Sequence, residues 1–174
     1  MPDWHSKNAK DKRGLITWDA VQYIGLVEIN GSLTEALLDT GGHGTIIDHE
    51  SALELGLDVT LARNGNFGHY RSPGYKPRAY HGIVQGPVEI RFNKEVVTLV
   101  PFIRIIDSPR RQIIIGADVL CGGRDILRWN FYSMPIVTNP DGTMQGYITF
   151  KCRQHFSRIP LLNVPCICGH LPPP

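Results

Sequence analysis

The sequence predicts an all-β domain, mainly antiparallel, with one or two short helices. Three observations carry the prediction. Runs rich in β-branched and aromatic residues recur along the chain, turn-forming pairs separate them, and only two stretches have the cap and spacing of a helix.

Taken in order, residues 1–13 read as a flexible arm. Tyr23–Ile29 reads as a strand, and Asn30-Gly31 as a hairpin turn, because both residues tolerate positive φ. Residues 34–38 form the return strand, which runs into the turn cluster Asp39-Thr40-Gly41-Gly42. Residues 45–47 are a short apolar strand. Asp48 can cap a helix, with Glu50 in the first turn, Ala52, Leu53 and Leu55 as the apolar face, and Gly56 as the stop.

From 63 to 81 the pattern breaks, with glycines, prolines and the aromatics Phe67, Tyr70, Tyr75 and Tyr80. Strands resume at Val88, Ile90 and Phe92, which alternate with Glu89 and Arg91. After an Asn93-Lys94 turn comes a long β-type run, 96–106, interrupted at Pro101. Residues 112–115 are a buried strand ending at Gly116, and Ala117–Leu120 begins a short helix closed by Gly122-Gly123. Residues 126–129 and 147–150 are late strands, separated by the Asn139-Pro140-Asp141-Gly142 turn. The tail has no packing pattern, and the chain contains no internal repeat.

At 174 residues the chain suits one domain with a core and is too short for two ordinary ones. Hydrophobic residues at 42% and charged residues at 20% fit a soluble globular protein. No apolar run approaches the roughly 20 residues of a membrane helix. The first twenty residues are polar and basic, with no apolar h-region. No membrane partner or secretory signal is expected, and a cytoplasmic location is. The formal net charge is +2, with acids and bases interspersed, so a nucleic-acid partner is not expected. The early basic group, Lys7, Lys10, Lys12 and Arg13, reads as a solvated arm.

The four cysteines, Cys121, Cys152, Cys166 and Cys168, do not make a dense disulfide framework. Cys166-Ile167-Cys168 with His170 resembles half a metal site that lacks a fourth ligand. No metal and no cofactor are expected.

Two segments carry chemistry. In Ala36-Leu37-Leu38-Asp39-Thr40-Gly41-Gly42 an apolar strand delivers an acid into a tight turn. The glycines let the backbone bend, its N–H groups can bond the carboxylate, and Thr40 can hydrogen-bond across the turn. In Ile113-Ile114-Ile115-Gly116-Ala117-Asp118 a second buried strand ends at a glycine that admits a close backbone neighbour.

In this order and spacing, over roughly residues 20–130, these segments resemble the retropepsin family of aspartic proteases, found in retroviruses and LTR retrotransposons. That family pairs a hydrophobic-hydrophobic-Asp-Thr/Ser-Gly motif with a later hydrophobic-hydrophobic-Gly strand and helix. The resemblance implies a single-lobe retropepsin-like protease domain over 14–130, with 131–174 as C-terminal strands and an extension. It implies Asp39 as the catalytic carboxylate, with Thr40 and Gly41 supporting it, and an endopeptidase acting on a retroelement polyprotein. Only one Asp-Thr-Gly occurs, so the second carboxylate must come from a second copy in a two-fold homodimer.

Like charges that close cannot both ionise, so such a pair shares one proton. The family also needs a flap over the substrate. The 63–81 stretch lies in the right place, with Ser72-Pro73-Gly74-Tyr75 as the expected tip and Gly74 and Tyr75 as substrate-facing residues. The departure from the family pattern is Gly42, where Ala or Ser usually stands.

Other polar residues have plainer readings. His43 reads as a loop residue near the substrate channel, His69 and His81 as surface groups, Asp118 as structural at the helix start, and Trp129 as core. No serine lies in a nucleophile-elbow context, so a Ser/His/Asp triad is not supported. Two other functions compete with the protease. One is a catalytically weak dimerisation or peptide-binding module with the same fold, and the other is a nucleic-acid-binding fragment of a polyprotein.

Overall fold

A computed structural model of the chain describes residues 23–71, 74–121 and 128–164. Over these residues the fold is all-β and mainly antiparallel, with two short helices. β1 (Tyr23–Ile29) and β2 (Ser32–Leu38) form a hairpin in full register from Tyr23–Leu38 to Ile29–Ser32. Its turn is made by Asn30 at φ 53° and Gly31 at φ 80°, as a two-residue turn with both φ values positive requires.

β3 (Ile46–Asp48) leads into α1 (His49–Glu54). Asp48 caps this helix by accepting the Ser51 N–H at 2.9 Å, and its other carboxylate oxygen accepts the Gln112 N–H at 2.7 Å. Burial works to raise the Asp48 carboxyl. The bonds from Ser51 and Gln112 outweigh it and hold the group below its ordinary value. Ala52 and Leu55 are buried, but Leu53 is 58% exposed. In so short a helix only one i, i+3 pair faces the core. Gly56, at φ +69°, ends the helix.

β4 (Val59–Leu61) follows, a strand the residue pattern does not announce. A two-stranded hairpin, β5 (His69–Tyr70) and β6 (Arg78–Ala79), then rises before the long strands β7 (Gly82–Arg91) and β8 (Val97–Ile106). Pro101 does not interrupt β8. It lies opposite Gly86 and Pro87, where the β7–β8 register slips between Gln85 and Val88. At such a bulge the missing proline N–H is not needed.

β9 (Ile113–Ile115) and α2 (Ala117–Leu120) complete the first body. The sheet order is β1-β2-β9-β3-β8-β7-β4, and a further β1–β7 pairing curls it toward closure. The β2–β9 and β3–β8 pairs are parallel, and the other ladders are antiparallel. Inside lie Val27, Ile29, Ile47, Ile90, Ile103 and Ile115, each fully buried.

A second sheet is built around β12 (Met144–Cys152), flanked by β10 (Asn130–Ser133), β11 (Ile136–Thr138) and β13 (His155–Pro160). The expected strand at 126–129 begins instead at Asn130, with 126 and 127 outside the described residues. This sheet shares the core through Ile148, Phe150, Ile159 and Leu161. Phe150 meets Phe92 at 4.8 Å between ring centroids, and the Leu162 N–H donates to the Ile24 carbonyl at 2.8 Å. Trp129 packs partly buried against the same core. Among the described residues no helix is long and apolar enough to cross a membrane.

Candidate active site

Asp39 stands where β2 leaves the sheet, and parallel pairing with β9 fixes that point. Leu37 and Leu38 pair with Ile114 and Ile115, and the Asp39 N–H donates to the Ile115 carbonyl at 2.9 Å. The chain then turns at once. The Gly41 N–H donates to Asp39 Oδ1 at 3.0 Å, and the Gly42 N–H donates to the Asp39 carbonyl at 3.2 Å. The carboxylate is thus oriented by its own turn, as expected of a positioned acid or base.

The turn is clamped from the far side by α2. The Ala117 N–H donates to the Gly42 carbonyl at 2.7 Å. Gly116 lies so close that a Cβ there would sit 2.5 Å from the Gly44 oxygen and 2.6 Å from its carbonyl carbon. Only glycine permits that approach. Asp118 completes the clamp, accepting the Thr45 hydroxyl at 2.8 Å on one oxygen and the Thr45 N–H at 3.1 Å on the other. The Thr45 hydroxyl also accepts the Gly116 N–H at 3.3 Å. Arg128 donates to the backbone carbonyls of Asp118 and Val119. The sequence alone does not reveal Thr45. An isolated threonine between Gly44 and an apolar strand carries no signal of a partner seventy residues away.

Asp39, Thr40 and Gly41 are all exposed. Among the described residues the Thr40 side chain has no hydrogen-bond partner, so the expected bond across the turn is not made within the chain. Gly42 leaves room for the carboxylate, because a Cβ there would lie 3.0 Å from Asp39 Oδ2. His43 is exposed, and so is His69. His81 is not the surface group the sequence suggests. It is half-buried, and its Nε2 lies 3.2 Å from Nδ1 of His49 at the start of α1.

The β5–β6 hairpin occupies the expected flap stretch. Gly74 has φ +80° and Tyr75 is 72% exposed, while Ser72 and Pro73 lie outside the described residues. Tyr70 and Tyr80 stack at 5.1 Å, and the Arg104 guanidinium lies 5.2 Å from the Tyr80 ring centre. Burial raises the Tyr80 hydroxyl above its ordinary value, against the pull of Arg104 and with a smaller push from Tyr70. A cavity of about 200 Å³ separates Tyr70, Tyr75, Lys76 and Arg78 on the hairpin side from Asp107 and Gln112 on the other. Among the described residues no three His, Cys, Asp or Glu side chains gather as a metal would require, and Cys166, Cys168 and His170 lie outside that set.

The Asp39 carboxylate is thus set in a glycine turn, carried by two apolar strands and locked by a third glycine. The chain belongs to the aspartyl protease family, whose model matches residues 26–119, more than half of its length. Among solved structures, the retroviral protease-like domain of Ddi1 from Leishmania major is 16% identical, covers 82% of this chain and 95% of its own, and aligns with a TM-score of 0.47. A retropepsin-like aspartic protease from Rickettsia conorii is 13% identical, with 83% and 89% covered and a TM-score of 0.46. Likenesses so distant do not bear on function. No curated protein matches the chain.

Proposed function

We propose that this protein is an aspartic endopeptidase that works as a two-fold homodimer, each copy supplying one Asp39. The observation that carries the reading is the Asp39 turn. Its carboxylate is oriented by the Gly41 N–H, while the backbone on either side is tied to β9 and α2. A second copy explains what one chain leaves incomplete. Asp39 and Thr40 are exposed, and the Thr40 hydroxyl has no partner within the described chain. An isologous contact across this turn would bring two carboxylates together and cover both.

In that pair one carboxylate is ionised and the other protonated. The ionised member takes a proton from a water, whose oxygen attacks the scissile carbonyl carbon. The protonated member donates to the carbonyl oxygen. The C–N bond then breaks as the first member passes its proton to the leaving nitrogen and the second takes a proton back from a hydroxyl of the collapsing diol, which restores the singly protonated pair. Thr40 and Gly41 hold the geometry. The β5–β6 hairpin, with Gly74 and Tyr75 near its end, acts as the flap that excludes water. The peptide lies extended in the cleft, and a retroelement polyprotein is the substrate its family relationship suggests.

The test is digestion of an unfolded protein substrate near pH 5, wild type beside Asp39→Asn. Cleavage by wild type alone, peaking on the acidic side of neutrality, is expected. A folded, dimeric wild type that cuts nothing would leave the non-catalytic peptide-binding reading in its place.

A further inference from the structure

The segment that forms the hairpin wall is charged in one direction only. Residues 62–81 contain Arg63, Arg71, Lys76 and Arg78 and no Asp or Glu. Four cations there exceed the formal net charge of +2 for the whole chain, so the remainder is net acidic. Lys76 and Arg78 line the cavity of about 200 Å³, both are exposed, and among the described residues neither forms an ion pair. The other basic groups nearby are differently placed. Arg104 is engaged with the Tyr80 and Phe102 rings, and Arg111 bonds Glu54 and Thr34. The carboxylate facing the cavity is Asp107.

The cavity lies at a definable distance from Asp39. Gln112, on its wall, directly precedes β9, and the far end of β9, Ile115, binds the Asp39 N–H. Three residues of strand rise about 10 Å, and an extended peptide covers that distance in about three residues.

We infer that this cavity is a basic subsite that selects peptides carrying an acidic side chain about two to four residues from the scissile bond. The inference rests on the proteolytic reading for its register, and on Lys76 and Arg78 for its chemistry. With two cations that form no ion pair among the described residues against the single carboxylate of Asp107, the cavity lining is net positive, so it attracts a carboxylate and repels a basic residue.

Two measurements test it. The first is fluorescence anisotropy on the full chain carrying Asp39→Asn. The probes are two peptides with the same apolar centre, flanked by glutamates or by lysines, and a single-stranded RNA oligonucleotide. The glutamate peptide is expected to bind about tenfold tighter than the lysine peptide at low salt. The advantage should shrink as salt rises and vanish or reverse in Lys76→Glu/Arg78→Glu. The milder Lys76→Gln/Arg78→Gln should show an intermediate loss if the reversal disturbs the hairpin. Equal affinities, an advantage that survives reversal, or tighter binding of the RNA through the same two residues would overturn the inference.

The second is cleavage profiling of a peptide library by wild type. Enrichment of Asp and Glu two to four residues from the cut supports the subsite. Cleavage without that enrichment overturns it and leaves the protease reading intact. Absence of cleavage with the binding preference retained removes the protease reading, and with it the register, and leaves the acid-binding cavity standing.

Discussion

Replacing Gly116 with alanine puts one methyl group where backbone already lies. At φ −98° and ψ −171° Gly116 is extended, so alanine meets no conformational strain there. The cost is contact. The new Cβ would sit 2.5 Å from the Gly44 oxygen, 2.6 Å from its carbonyl carbon and 3.0 Å from the Gly42 oxygen. All three belong to the loop that follows Asp39, and no side-chain rotation relieves them. The loop must move, and the Ala117 N–H bond to Gly42 and the Gly116 N–H bond to Thr45 stretch or break. Overpacking costs about 1–3 kcal/mol and each lost bond about 1 kcal/mol, while alanine returns about 0.4–1 kcal/mol through the unfolded chain. The net loss is about 2–4 kcal/mol. For a chain of this length that lowers the melting temperature by roughly 5–15 °C. Gly44→Ala is the control. A Cβ there meets only Arg104 Nη1 at 3.8 Å and Asp118 Oδ2 at 4.0 Å, which are ordinary contacts. It should change stability by under about 0.5 kcal/mol. Thermal unfolding by circular dichroism compares the two. Equal melting temperatures for the two variants would refute the claim that Gly116 is where β9 and the Asp39 loop interlock.

Asp48→Ala removes the α1 cap and leaves the Gln112 N–H without its acceptor, at an expected cost of about 2–4 kcal/mol in chemical denaturation. The folded-state Asp48 carboxyl lies below its ordinary 3.8. Its stabilisation is therefore complete above that value and lost as pH falls through the lowered one. The difference between wild type and Asp48→Asn should shrink over that acid range, and a difference that instead grows on acidification would reverse the assignment. Asp39→Asn should unfold within about 0.5 kcal/mol of wild type, because Asp39 is exposed and an amide oxygen can still accept the Gly41 N–H.

Local chemistry made several elements legible from residues alone. Asn30-Gly31 specifies its turn and with it the β1–β2 register, Asp48 announces α1, and three consecutive isoleucines ending in glycine mark β9 and the close approach at Gly116. The Asp39 turn was legible for the same reason, since a strand, an acid and two glycines are contiguous. What was not legible depends on distant partners. β4 is a strand because Val59–Leu61 pairs with residues 82–84, and its own three residues do not require it. β13 carries Ser157 and Ile159 inward in a run that also contains His155, Arg158 and Pro160, so no clean alternation survives. Pro101 reads as a break until the bulge opposite it is seen. Asp118 reads only as a helix-start acid until Thr45 is beside it.

If one active site needs Asp39 from two chains, mixing wild-type and Asp39→Asn subunits must lower activity in a set proportion. Wild type is held at fixed concentration, well above that at which dimers dissociate, and an equal amount of Asp39→Asn is added and allowed to exchange. Random pairing places half of the wild-type chains in mixed dimers with a single Asp39, so activity should fall to about half. A greater excess of the variant should drive it toward zero. Activity that stays constant however much Asp39→Asn is added would show that one chain suffices, and would contradict the account.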